Sequence, residues 1–112
     1  MMNEKQSKFL EFWKEGVLVA GEQFFKVSSS SVSSATNKDQ LPPNFNFIKE
    51  TFGSLSHGEK IMLALLYSFY NPEEGQLFLI EANAANFVDA ISFLDDQRKK
   101  VILGLLANHS GW

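Results

Sequence analysis

The segment SHGEKIMLALLYSFY, residues 56–70, decides the fold of this chain. Ser56 is followed three residues later by Glu59, which is the spacing of a capping box at a helix N-terminus. From Ile61 to Tyr70 almost every side chain is apolar, on all sides of the helix that this cap would open. Because such a helix must be covered by its neighbours, we expect residues 58–70 to form the buried central helix of an all-α domain.

A long amphipathic helix is predicted N-terminal to this segment, over residues 1–27 and regular from about residue 3. Phe9, Trp13, Val17 and Phe24 recur at spacings that place them on one helical face. Gly21 lies between the last two of these residues and has a low helix propensity. We therefore expect a single long helix that is bent near Gly21.

Shorter helices are predicted on either side of the central one. Asn44 is a suitable cap for a helix that runs to about residue 52, and Asp95 or Asp96 for the last helix. Asn71 and Pro72 favour a further helix start, although the apolar run at residues 77–80 also suits a strand. A short helix near residues 87–94 completes a compact bundle of five or six helices, with residues 44–112 as its main body.

The core predicted from these patterns takes apolar residues from every helix. Its members are Phe9, Trp13, Val17, Phe52, Ile61, Leu65, Leu66, Phe69, Leu77, Ile80, Phe87, Ile91, Val101, Ile102 and Leu105.

A serine- and proline-rich segment, residues 28–43, separates the long helix from the main body. Residues 28–34 contain six serines and one valine, and Pro42 and Pro43 close the segment. Serine side chains compete for backbone hydrogen bonds and proline has no N–H to donate. We expect a flexible surface loop within a single domain, or alternatively a loop that orders on a partner or is phosphorylated.

Composition limits the classes of protein that the chain can represent. It has 112 residues, no cysteine and a net charge of −3, which excludes disulfide frameworks, thiolate metal sites and cysteine nucleophiles. The apolar run that a secretory signal requires is missing near the N-terminus, and no segment is long enough to cross a membrane. We therefore expect a cytoplasmic protein that does not enter membranes.

The segment LSHGE, residues 55–59, resembles the signature loop of ABC-type ATPases, whose usual forms are LSGGQ and LSGGE. A helix, Pro72 and the apolar run LFLIE follow, where such ATPases have a strand ending in Asp-Glu. The resemblance implies that the loop would contact nucleotide and that Glu81 would position water. The chain lacks the G-x-x-x-x-G-K-[ST] phosphate loop, and Ile80 replaces the magnesium-binding aspartate. We therefore interpret the segment as a helix cap and predict no cofactor.

Residues suited to catalysis or metal binding are few. The two histidines, His57 and His109, are far apart in the sequence and belong to no metal-ligand spacing. No nucleophile–base pair is visible either. We predict no catalytic, cofactor-binding or metal-binding residue, with an enzyme that has a carboxylate metal site as one alternative.

Charge is distributed unevenly along the chain. Residues 61–97 contain six acids and no Lys or Arg: Glu73, Glu74, Glu81, Asp89, Asp95 and Asp96. Such a surface attracts basic partners. The one basic cluster is Arg98-Lys99-Lys100, which supports a nucleic-acid-binding helix as a second alternative, although the net negative charge makes nucleic acid an unfavourable ligand.

Aromatic residues are numerous, with 11 Phe, 2 Trp and 2 Tyr. Phe12, Phe25 and Trp112 do not fit the predicted core, and surplus aromatic residues often mark an interface. These three residues and the six acids are our candidate contacts for a protein partner of unknown identity, or for a homodimer formed through the first helix. The sequence thus favours a non-catalytic protein–protein interaction or regulatory module.

Overall fold

Six α-helices follow one another along residues 2–112, the part of the chain that the computed structural model describes. They are α1 (Glu4–Ala20), α2 (Phe45–Thr51), α3 (His57–Tyr70), α4 (Pro72–Glu81), α5 (Phe87–Ser92) and α6 (Asp96–Ala107). Short 3-10 turns occur at Glu22–Phe24, Lys38–Gln40 and Phe52–Ser54. These residues contain no β-strand, so the predicted all-α bundle is confirmed, and residues 77–80 are helical.

Helix α3 is the centre of the bundle, as its sequence predicts. Ser56 accepts a hydrogen bond from the backbone N–H of Glu59, and the Glu59 carboxylate accepts one from the N–H of Ser56. Every side chain from Ile61 to Tyr67 is buried. Helix α4 packs along α3, and α1 packs against α6 on the other side.

Asparagine and aspartate side chains begin the other five helices, and Asn3 does so at α1 by accepting from the backbone N–H of Gln6. Asn44, Asn71, Asn86 and Asp95 each accept a hydrogen bond from a backbone N–H in the first turn of α2, α4, α5 and α6. These bonds satisfy N–H groups that have no partner within the helix. The predicted caps at Asn44, Asn71 and Asp95 are therefore confirmed.

The first helix is shorter than predicted, because Gly21 ends it. Gly21 has a φ angle of 122°, which a helix cannot accommodate, and the chain then forms a 3-10 turn. Phe25 next pairs with Pro43 as an isolated antiparallel β-bridge. The prediction of one bent helix to residue 27 is wrong for this reason.

The serine-rich segment lies at the surface as predicted, with its serines exposed or half-buried, but apolar side chains within it anchor it to the bundle. Its two ends are joined by backbone hydrogen bonds, from Lys26 to Pro42 and from Ser28 to Gln40. Val32, Ala35 and Leu41 are buried in the core. The indole N–H of Trp13 also donates to the Leu41 carbonyl, at 2.9 Å. The segment is therefore a compact loop with close ends and its own buried side chains.

Three residues of the predicted core are exposed. Leu77 and Ile80 keep 65% and 58% of their surface accessible, and Phe87 keeps 37%. Helix α4 meets α3 through Gly75, Phe78 and Leu79, which leaves its other faces open. The remaining predicted core residues are buried, except for Ile91, which is half-buried.

Candidate interaction surface

An apolar groove lies between α4, α5 and the C-terminal end of α6, with a volume of about 300 Å³. The buried side chains of Leu65, Phe69 and Leu79 form its floor. Phe87 from α5 and Leu106 from α6 form two of its walls, and both are exposed. We call this feature the α4–α6 groove. It offers accessible apolar surface above a closed core, which is the usual form of a side-chain-binding pocket.

Further apolar side chains are exposed on the same three helices. Ile80 follows the groove residue Gln76 by one helical turn on the same side of α4. Val88 is next to Phe87, and Leu103 precedes Leu106 by one turn of α6. All three are more than half exposed. Six of the ten large exposed hydrophobic residues among residues 2–112 thus belong to α4, α5 and α6.

The six candidate acids divide into two groups. Glu74, Asp89 and Asp95 accept hydrogen bonds within the chain, so their carboxylates are engaged at helix starts. The other three are exposed and have no hydrogen-bond or ion-pair partner among residues 2–112: Glu73, Glu81 and Asp96. Glu73 follows Pro72, which lines the α4–α6 groove. Only part of the predicted acidic surface is therefore available to a partner, and Glu73 is the acid nearest in sequence to the groove.

The expectation that Phe25 lies outside the core is wrong. Its ring is buried and packs edge-on against Trp13, with 5.8 Å between ring centroids. The neighbouring Phe24 is buried as well, against Phe47. Both rings are covered because the backbone is extended at Phe25, so that adjacent side chains point to different parts of the core.

Phe12 and Trp112 are half-buried and also pack against the bundle. Phe12 lies over Gly104 of α6, where an added Cβ would come within 2.5 Å of its ring. Trp112 packs edge-on against Trp13 and Tyr70, with centroids 4.8 and 5.1 Å apart. The structure does not bring these aromatic residues and the unpartnered acids into one patch.

The basic cluster lies at the start of α6. The Arg98 guanidinium forms an ion pair with Asp95 at 2.5 Å. The backbone N–H of Arg98, together with its charge, holds the pKa of the Asp95 carboxyl below its usual value. Lys99 is half-buried and Lys100 is exposed. Because Asp95 engages one of its three positive charges, this cluster is poorly suited to bind the phosphates of a nucleic acid.

The two histidines lie in different surroundings. The His57 Nε2 is 3.0 Å from the carbonyl oxygen of Ala82, so it donates a hydrogen bond there. His109 packs against Phe9 and Phe69 and forms part of the groove lining. Among residues 2–112 there is no group of three or more His, Asp or Glu side chains that could hold a metal ion.

Tyr67 is the group with the largest perturbation of its pKa. Burial raises the pKa of its hydroxyl above the ordinary value of 10.0, and the hydrogen bond that it donates to Glu74 at 2.9 Å raises it further. The hydroxyl therefore stays protonated at neutral pH and links α3 to the first turn of α4. This is a structural role, since the donor faces a carboxylate of its own chain.

Sequence reasoning missed the groove because it assigned Leu77, Ile80 and Phe87 to the core. A signal was present in the run LFLI at residues 77–80. Consecutive helical residues are about 100° apart, so four in a row cannot all face one side. At least one of them had to be exposed, and a short helix with an apolar outer face indicates a contact surface.

No helix in the described part of the chain is long and apolar enough to span a membrane. No protein-family model matches the sequence, and searches of curated proteins and of solved structures give no significant match.

Proposed function

We propose that this protein is a non-catalytic interaction module whose α4–α6 groove binds an amphipathic helix of a partner protein. The observation that carries the proposal is the groove itself, an accessible apolar pocket of about 300 Å³ above buried core residues. The partner helix would insert one or two large apolar side chains between Phe87 and Leu106. We also propose that the protein acts in the cytoplasm, as its sequence leads us to expect.

The geometry suits a helix rather than a flat protein surface. Leu79, Phe87 and Leu106 come from three different helices and line one depression. Helices that dock into such grooves contribute apolar side chains at spacings of three and four residues. Large side chains that fill well-packed pockets at the centre of an interface supply most of the binding energy.

Charge favours a partner helix with basic residues along one edge. Glu73 lies beside the groove residue Pro72 and has no partner within residues 2–112. Residues 61–97 as a whole contain six acids and no Lys or Arg. A negative potential of this kind accelerates association with a basic partner and weakens as salt is added. The acids thus support a basic helix in preference to an acidic one.

The test uses a synthetic amphipathic helical peptide with leucines at positions i, i+3, i+4 and i+7 and lysines along one edge. A scrambled peptide of the same composition is the control probe. Binding is measured by fluorescence anisotropy, and the site by NMR chemical-shift changes in the labelled protein. We expect the helical peptide alone to bind and the shifts to include Phe87, Leu106 and Gln76.

The matched variants are Leu106→Lys in the groove and Leu18→Lys on α1, since these leucines are 51% and 58% exposed. We expect Leu106→Lys to weaken binding about tenfold or more, as for an interface residue that contributes over 1 kcal/mol. Leu18→Lys should leave it unchanged. Equal effects of the two variants, or equal binding of the scrambled peptide, would contradict the proposal.

A further inference from the structure

Among residues 2–112, His109 is the one titratable side chain that lines the α4–α6 groove. It follows the last residue of α6 by two positions and is exposed. Its ring packs edge-on against Phe69 and obliquely against Phe9, with centroids 5.3 and 5.9 Å apart. Both phenylalanines are buried, so they hold the imidazole against the bundle at the groove.

The ring nitrogens of His109 have no hydrogen-bond or ion-pair partner among residues 2–112, whereas the Nε2 of His57 donates to the Ala82 carbonyl. Histidine is the side chain that ordinarily changes its charge between about pH 5 and pH 8. All other side chains of the groove lining are uncharged. Uptake of a proton by His109 would therefore place a full positive charge in a groove that otherwise has none.

Few charged groups lie on the elements around His109. On the side of Phe9, α1 carries Lys5 one turn earlier, and on α4, Glu73 follows the groove residue Pro72; both charged residues are exposed. Residues 61–70 of α3 contain no charged side chain. Carboxyls and phenols ordinarily titrate outside the range from about pH 5.5 to pH 8, which leaves histidine as the group that responds there. The remaining titratable residues of 61–70, α4 and α5 are Tyr67, Tyr70, Glu74, Glu81 and Asp89.

We propose that uptake of a proton by His109 releases the partner helix from the α4–α6 groove, an inference that rests on the function proposed above. Apolar side chains of a docked helix cover the imidazole, so its charged form loses water and gains no acceptor. Basic residues along the partner helix also repel the imidazolium. The complex thus binds this proton less tightly than the free protein does, and the affinity for the helix falls as the pH falls.

The experiment measures the affinity of the lysine-edged amphipathic peptide for the whole protein between about pH 5.5 and about pH 8, by fluorescence anisotropy. The peptide is acetylated, amidated and labelled with a rhodamine, so that it does not titrate in this range. We expect the affinity to be about tenfold lower at the acidic end, since linkage to one proton allows up to about tenfold per pH unit. An affinity that is independent of pH would overturn this inference alone, and absence of binding at every pH would overturn the proposed function with it.

Two variants assign the effect to His109. His109→Phe keeps an aromatic ring against Phe9 and Phe69 but cannot take up a proton, so its affinity should be the same at both ends of the pH range. His109→Gln, which is also uncharged, should give the same result. His57→Gln is the matched control, because it removes the other of the two histidines, outside the groove, and keeps a donor for the Ala82 carbonyl. A pH dependence that survives in the His109 variants, or disappears in His57→Gln, would contradict the assignment.

NMR of the unsubstituted protein gives an independent measurement. By linkage, bound peptide must move the titration midpoint of the His109 ring signals to lower pH. The signals of His57 should keep their midpoint, because that ring lies outside the groove lining. A His109 midpoint that stays in place or rises in the complex would show that the proton does not oppose docking.

Discussion

Gly75 sets the distance between the two helices that pack most closely. A Cβ added at this position would lie 2.5 Å from the Cα of Ser68 on α3, so no side chain fits there. The Ser68 hydroxyl donates to the Ala64 carbonyl of its own helix, at 2.8 Å, and needs no partner on α4. The close approach buries Phe78 and Leu79 and turns Leu77 and Ile80 outward. A single glycine thus determines which side of α4 is exposed.

We expect Gly75→Ala to destabilise the protein by about 2 kcal/mol, because overfilling a packed interface forces the backbone to shift. The measurement is the free energy of unfolding from urea denaturation. Gly58→Ala is the matched control in α3, since nothing lies within 4 Å of its added Cβ. That variant should be neutral or slightly stabilising, as alanine favours helix. A similar loss in both variants would contradict the close approach at Gly75.

At the level of single helices, the capping box of α3 holds the start of the most buried helix. Hydrogen bonds from the backbone N–H of Ser56 and then from its hydroxyl lower the pKa of the Glu59 carboxyl below its ordinary value of 4.5. The folded state therefore favours the ionised carboxylate. Stability from this group is fully present above the unfolded pKa and is lost as the pH falls through the lowered folded pKa.

We expect Ser56→Ala to cost about 1 kcal/mol of unfolding free energy at neutral pH, since a first-turn N–H loses its acceptor. Ser110→Ala, at an exposed serine outside the helices, is the control. Glu59→Gln should keep most of the neutral-pH stability, because glutamine also serves in a capping box. It should, however, reduce the loss of stability below about pH 4.5. If Glu59→Gln loses as much stability at low pH as the original protein does, other carboxyl groups control the pH dependence of the free energy of unfolding.

At the scale of the whole molecule, the aromatic residues that suggested a homodimer belong to the bundle itself. Phe12 packs on α6, Phe25 on Trp13, and Trp112 on Trp13 and Tyr70. Helix α1 presents Leu18 as its large exposed hydrophobic residue. With one such residue on α1, we expect no homodimer through this helix.

We therefore expect the protein to be a monomer in dilute solution, with a radius of gyration close to the 13.1 Å of its Cα atoms. Multi-angle light scattering gives the mass, and small-angle X-ray scattering the size. If the protein is instead a dimer and Leu18→Lys dissociates it, the hypothesis of an interface on α1 is restored. A dimer that Leu106→Lys dissociates would instead identify a second copy as an occupant of the α4–α6 groove.

The sequence by itself determined the all-α class, the starts of most helices and the central position of α3. Caps at Asn44, Ser56, Asn71 and Asp95 are local signals, because each side chain bonds a backbone N–H within the next three residues. The side chains after Ser56 are apolar on all sides of the helix, so they are removed from water only when the helix lies inside the bundle. Both kinds of information are contained in short stretches of chain.

Only the tertiary structure decided which apolar residues stay exposed and where the α4–α6 groove lies. The outward face of α4 depends on Gly75 meeting Ser68, and the position of the last residues depends on Lys38 meeting Trp112, 74 residues later in the chain. The attachment of the serine-rich loop to the bundle depends on Trp13 bonding Leu41. These contacts join segments that are distant in sequence, and no local propensity or periodicity contains their distances.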